Sequence, residues 1–155
     1  TDVTAIGMAT ATIGLSREYR GITYGNDIDT DVDFPFAYTG VNLECLSPVY
    51  VRGYKTVATN DWNLEWVRRS RTDGEWRDMV DAGLSETSEA YEVDIFADGT
   101  FATVKRTIAA ATQSCTYTSV QQVTDFGSNQ ATIYIKVYQL SSVVGRGYPA
   151  TATIS

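Results

Sequence analysis

Residues 91–108 read "YEVDIFADGTFATVKRTI", and their pattern decides the fold. Tyr91, Val93 and Ile95 alternate with Glu92 and Asp94. A period of two puts successive side chains on opposite faces of a strand. "ADG" then interrupts the alternation, and "TFATVKRTI" resumes it with Phe101 and Val104. An Asp-Gly pair between alternating runs marks a tight hairpin, because glycine accepts the positive φ that such a turn needs. Asp98-Gly99 therefore joins two antiparallel strands.

The same period recurs on both sides. "WNLEWVRR" at 62–69 sets Trp62, Leu64 and Trp66 on one face. "CTYTSV" at 115–120 and "ATIYIKVYQL" at 131–140 are rich in Thr, Val, Ile and Tyr, which suit a pleated, half-buried surface. The tail "IYIKVYQLSSVVGRGYPATATIS" alternates, breaks at two glycines and a proline, and alternates again. Only "GEWRDMVDAGL" at 74–84 suggests a short helical turn. Short strands without a long amphipathic helix predict an all-β, antiparallel β-sandwich. Trp66, Val93, Ile95, Ile135 and Val137 are its predicted core.

Composition narrows the function. A chain of 155 residues fits one domain, or a domain with an extension. A formal net charge of −7 argues against nucleic-acid binding and against docking to an anionic membrane. No apolar run approaches the roughly 20 residues that span a bilayer, so no membrane insertion is expected. No signal peptide is visible. The chain begins "TDVTAIG" without methionine, as a cleaved precursor, a trimmed chain or a piece of a longer protein would. With no histidine there is no Ser-His or Cys-His pair and no imidazole for general acid–base work. Carboxylate-only enzymes exist, but no pair here has a setting that raises a pKa. The chain is read as no enzyme, with no cofactor. Cys45 and Cys115 permit one disulfide or two buried thiols.

The succession "LEWVRRS", "YEVDIFADG", "CTYTSVQQ", "ATIYIKVYQLSS" and "GRGYPATATI" resembles the strands of a fibronectin type III domain. The resemblance places Trp66 or Trp62 in the core of the second strand. It also places Ile133 where the family's corner tyrosine often stands, with Tyr134 on the other face. Longer phrases carry a narrower resemblance: "TGVNLECLSPVYVRG", "LEWVRRSRTDGEWRDMVDAGLSETSEAYEVDI", "TYTSVQQVTDFG" and "KVYQLSSVVGRGYPATATI". From about residue 20 onward the chain is similar to the C-terminal region of tail-tip, or baseplate hub, proteins of siphophages and gene-transfer agents. That resemblance implies a virion location and other phage tail proteins as partners, in a homo-oligomer or ring assembly. It supplies no catalytic residues.

Residues 48–155 are assigned to the sandwich, starting near Ser47-Pro48, where proline favours an extended start. Residues 1–47 form an N-terminal strand-bearing extension. "MATATIGLS" and "FPFAYTGVNLE" alternate there, but so short a region hardly builds a core of its own. It is expected to pack on a neighbouring chain or another domain.

Three features are candidates for binding. In "NDIDTDVDF", Asp27, Asp29, Asp31 and Asp33 would share one face of a strand, either as a solvated acidic stretch or as calcium ligands. The EF-hand pattern fails, with no glycine at its sixth position and Tyr38 where its glutamate belongs, so no metal is expected. The long connection "RSRTDGEWRDMVDAGLSETSEA" sets Arg68, Arg69, Arg71 and Arg77 beside Trp76. Arginine and tryptophan are enriched at interface hot spots. Equally, Trp76 caps the sandwich while the arginines pair with Asp73, Glu75, Asp78 and Asp81. Finally, "SSVVGRGYP" offers Arg146 and Tyr148 on a glycine-defined turn, either as a firm closure or as a docking point. Arg69, Arg71, Trp76, Arg77, Arg146 and Tyr148 are the candidate interaction residues. In a sandwich of this kind the two loops share one end.

Two functions fit. One is a structural and interaction module of a phage tail tip, baseplate or fibre, acting in assembly and host attachment through a host-surface glycan or protein. The alternative is a free-standing bacterial surface or secreted module that binds a glycan.

Overall fold

The computed structural model describes residues 7–30, 32–72, 75 and 78–155. It divides the chain into two compact units, one ending at Asn42 and the other starting at Leu43. In the first, β1 (Ser16–Tyr19) pairs antiparallel with β2 (Phe34–Ala37). The second holds β3 (Val49–Lys55), β4 (Trp62–Val67), β5 (Tyr91–Phe96), β6 (Val104–Ala110) and β7 (Ser114–Tyr117). A helix, α1 (Ser119–Phe126), follows, and then β8 (Ile133–Ser141), β9 (Gly145–Arg146) and β10 (Ala150–Ile154).

The strands of the second unit form two antiparallel sheets, in the orders β3-β4-β7 and β10-β8-β5-β6, with β9 added on β8. The predicted alternation sets their facing sides. Trp62, Leu64 and Trp66 of one sheet, and Tyr91, Val93, Ile95, Ile133, Ile135 and Val137 of the other, are at most 3% exposed. With Tyr117, Ala150 and Ile154 they make one apolar cluster. The Trp66 and Tyr91 rings meet edge to face at 5.2 Å. The domain is thus an all-β sandwich. Ile133 faces inward and Tyr134 lies half-buried on the opposite side.

The β5–β6 hairpin forms, but its loop runs from Ala97 to Thr103 rather than as a tight Asp98-Gly99 turn, and Gly99 does not take the positive φ expected of it. The Asp98 carboxylate accepts from the Thr100 amide at 2.9 Å and from its hydroxyl at 2.6 Å. Strand β6 starts only at Val104, later than the alternation suggests. Phe101 instead adopts φ +54°. Its ring meets Phe96 at 5.4 Å and Tyr134 at 6.1 Å, with the Lys136 ammonium 5.5 Å above it.

The helix α1 corrects the reading of "CTYTSV" as one strand. That strand ends at Tyr117, because Thr118 caps a helix. Its hydroxyl accepts from the Gln121 amide, and the Gln121 side chain accepts from the Thr118 amide. This reciprocal box satisfies two otherwise orphaned donors. Gly127, at φ +80°, ends the helix. Asp125 pins α1 to the sandwich. It accepts from Arg106 Nε at 2.7 Å, Arg106 Nη2 at 2.8 Å and the Tyr117 hydroxyl at 2.8 Å. The helical turn expected at 74–84 falls partly outside the described residues; among those described, Asp78 and Met79 form a turn and no helix follows.

Among the described residues of 27–33, the expected strand does not form. Ile28–Thr30 is a 3-10 turn, so the aspartates are not arrayed on one pleated face. Asp31 lies outside the described residues. Arg20 pairs with Asp33, donates to the Ile28 carbonyl at 3.0 Å and stands 3.8 Å from Asp29. Its hydrogen bond holds the Asp33 carboxyl below the ordinary range.

Candidate interaction surface

The loop after β8 is built by its two glycines. Gly145 turns the chain at φ +80°, so that β9 folds back on Leu140 and Ser141. Gly147 meets a different demand. A Cβ there would lie 2.3 Å from the Cys45 carbonyl oxygen, so only glycine fits. The Tyr148 amide donates to that same carbonyl at 3.0 Å, and the Ser47 hydroxyl donates to the Pro149 carbonyl at 2.9 Å. Residues 45–47 are thereby fastened to 147–149, on the sandwich side of the division between the two units.

Arg146 points back over the sheet. Its Nη1 and Nη2 donate to the two Asp94 oxygens at 2.6 and 3.0 Å, and its Nε donates to Glu92 at 2.5 Å. The guanidinium carbon lies 4.5 Å from the centre of the Tyr138 ring. Asp94 also accepts the Thr107 hydroxyl at 2.6 Å. Asp94, Glu92 and Tyr138 lie on the outer side of the sheet, yet Asp94 is only 2% exposed, because Arg146 covers it. Asp94 first, then Glu92, keeps Arg146 firmly cationic against the opposing effect of its burial. Its planar fork is thus filled from within the chain. Tyr148 and Val143 remain about half exposed, and Glu44 raises the Tyr148 hydroxyl above its ordinary value.

The long connection between β4 and β5 is zipped at its neck. Arg68 donates to the carbonyls of Ala82 at 2.6 Å and Gly83 at 3.2 Å, and pairs with Asp81 at 2.9 Å. The Ser70 and Ser85 hydroxyls are 2.8 Å apart. Arg71 pairs with Glu86, whose side chain is 4% exposed. The candidate Arg71 is therefore a brace, though on Glu86, a partner that the self-pairing alternative does not name; Arg68, on Asp81, pairs as that alternative supposes. Arg69 is exposed and has no ion pair among the described residues. Trp76 and Arg77 lie outside the described residues. Met79 and Val80 stand well out into solvent.

Glu86 joins the two loops. It accepts from the Ser142 amide at 3.3 Å and from the Cys45 thiol at 3.4 Å, and Thr87 approaches Ser142 at 3.5 Å. Burial pushes its carboxyl up, but bonds from Arg71, Cys45 and Ser141 outweigh this and hold it below the ordinary value. Cys45 and Cys115 are free. Burial, then Glu86, pushes the Cys45 thiol up to about 12, and burial pushes Cys115 up to about 11. Neither thiol is primed as a nucleophile.

Three central residues of this end, Glu86, Glu92 and Asp94, were not among the sequence candidates. A carboxylate in a loop or at an alternating strand position carries no local sign of a distant arginine. The signal that existed was the excess of arginine in the loops. A scan of the chain against protein-family models found no match, and a comparison with curated proteins found no relative.

Proposed function

We propose that the chain is a non-enzymatic structural and interaction module of a phage tail tip, baseplate or fibre, carrying a fibronectin type III-like sandwich and serving assembly and host attachment in the virion. Other tail proteins and further copies of the chain, in a ring or homo-oligomer, are its neighbours. The resemblance of the long phrases from residue 20 onward motivates the tail assignment. The strand order β3-β4-β7 against β10-β8-β5-β6 supports the domain type. One observation carries the interaction reading: β2 leaves Phe34 and Phe36 61% and 55% exposed, in a two-stranded pair. Such a pair is marginal alone in water. Contact with a neighbour would supply the missing layer.

Electron microscopy and light scattering of the intact chain test this. Symmetric assembly that is lost in a Phe34→Ser, Phe36→Ser double variant supports it. A monomer with saturable binding to a defined oligosaccharide favours the free-standing glycan-binding module instead. For attachment, Arg69→Ala with Tyr148→Ala, both at exposed positions, should fold normally and weaken adsorption of particles to the host.

A further inference from the structure

Four stretches far apart in the chain converge on one buried carboxylate. Cys45 belongs to the stretch that leads into β3, Arg71 and Glu86 to the two sides of the long connection, and Ser142 to the loop after β8. Glu86 touches the other three. One Glu86 oxygen accepts from Arg71 and Cys45, and the other accepts from Ser142. Around this hub the same stretches are cross-fastened by bonds from backbone amides. Tyr148 donates to Cys45 at 3.0 Å, Leu140 donates to Ala90 at 2.9 Å, and the Arg71 amide donates to the Ser85 hydroxyl at 2.9 Å. Gly147 is pressed against the Cys45 backbone with no room for a side chain.

We infer that this end of the sandwich is a latch keyed by Glu86, in which the lead-in stretch, the neck of the long connection at Arg71 and Glu86, and the last loop release together while the sandwich core stays closed. The reason is electrostatic. A carboxylate at 4% exposure is tolerated only while its donors are in place. When one donor leaves, the charge must be rehydrated, and water reaching it dissolves the other bonds. The contacts therefore fail as a set. The core residues Trp66, Tyr91 and Val93 take no part in the Glu86 bonds. Local openings of this kind, below the cost of global unfolding, are a general property of folded chains. The consequence is coupling. A partner that engages the loop carrying Tyr148 changes the hold on Cys45. A displacement of the chain at Leu43 in turn loosens the loops.

Native-state hydrogen exchange of the intact chain in a low-urea series, with mass-spectrometric reading of thiol alkylation at each cysteine, tests the latch. The Arg71, Ser142 and Tyr148 amides should share one opening, well below that of the Val93 and Ile135 amides. Cys45 should be alkylated through that opening. In Glu86→Gln, which removes the charge, those amides and Cys45 should all react about tenfold faster or more, with Cys115 and the core amides unchanged. Independent rates for the three amides, exchange only through global unfolding, or acceleration confined to Ser142 would overturn the inference. If Glu86→Gln fails to fold, the urea series on the parent decides alone.

Discussion

The two units use the same pattern with opposite results. Phe34 and Phe36 alternate in β2 as Trp62, Leu64 and Trp66 alternate in β4. The β2 rings are 61% and 55% exposed, whereas the β4 side chains are at most 3% exposed. Alternation decides which side chains share a face. Whether that face is buried depends on a second layer, which the sandwich supplies from β5, β8 and β10. The largest expected effect exploits this contrast. Trp66→Ala should cost about 3–5 kcal/mol and severely weaken or unfold the sandwich. Phe36→Ala should shift stability by roughly 0.5 kcal/mol or less. Thermal melts of the two variants give the comparison directly. Equal losses would mean that the hairpin is built into the cooperative unit.

Gly147→Ala comes next. Its added methyl meets backbone, which cannot rotate away, so the stretch 45–47 or the loop must move. Overpacking of this kind costs about 1–3 kcal/mol. By contrast, Gly21 in the first unit has open space around it, and Gly21→Ala should leave melting unchanged. A Gly147→Ala variant that melts like the parent would show that the loop is not pressed on Cys45.

The same contrast explains what the sequence made legible. Core faces of the sandwich were readable, because a period of two over "WNLEWV" and "YEVDIF" is local. The pairing of β5 with β6 was readable for the same reason, but the tight turn at Asp98-Gly99 was not, because the loop is longer and takes its positive φ at Phe101. The helix α1 was written in Thr118 and Gln121 as a capping box, but its first residues, Ser119 and Val120, continue the strand-like run "CTYTSV". The aspartates at 27–33 alternate perfectly, yet Arg20 gathers two of them around a turn. Asp94 looked solvent-facing because its partner, Arg146, lies 52 residues away. Periodicity reports faces; it says nothing of which charge covers which.

The arginine forks sharpen the comparison further. Arg146 grips Asp94, which is 3% exposed in its side chain, while Arg20 grips Asp33 at 39% exposure. Arg146→Lys keeps the charge but loses the bidentate geometry and the stacking on Tyr138. The expected cost is about 1 kcal/mol, held down because 40% of the arginine side chain meets water. Arg20→Lys should be silent in the melt. Double-mutant cycles with Asp94→Asn and Asp33→Asn would separate the pair energies from other effects. A coupling at Arg20 as large as that at Arg146 would break the distinction.

The smallest effect is the response to acid. Glu86 and Asp125 are both buried carboxyls, and both are held below their ordinary values of 4.5 and 3.8. At Asp125, burial pushes the carboxyl up, but the bonds from Arg106 and Tyr117 outweigh it. Each group releases its proton more readily in the folded chain than in the unfolded one. Each therefore contributes stability above its ordinary value, and that contribution disappears as the pH falls through the lowered, folded value. Melting temperature should hold steady through neutral pH and begin to fall below about pH 4.5, the ordinary glutamate value. Replacing either group should flatten its part of that fall: Glu86→Gln the part that begins first, Asp125→Asn the part at lower pH. The two sites also differ in what they hold. Asp125 ties α1 to the tyrosine at the core, whereas Glu86 ties loops to one another. Acid should therefore raise exchange at Ser142 and Tyr148 before the core responds, while loss of the Asp125 contacts should register at α1. A simultaneous response of both ends with the core would place them in one cooperative unit and remove the difference.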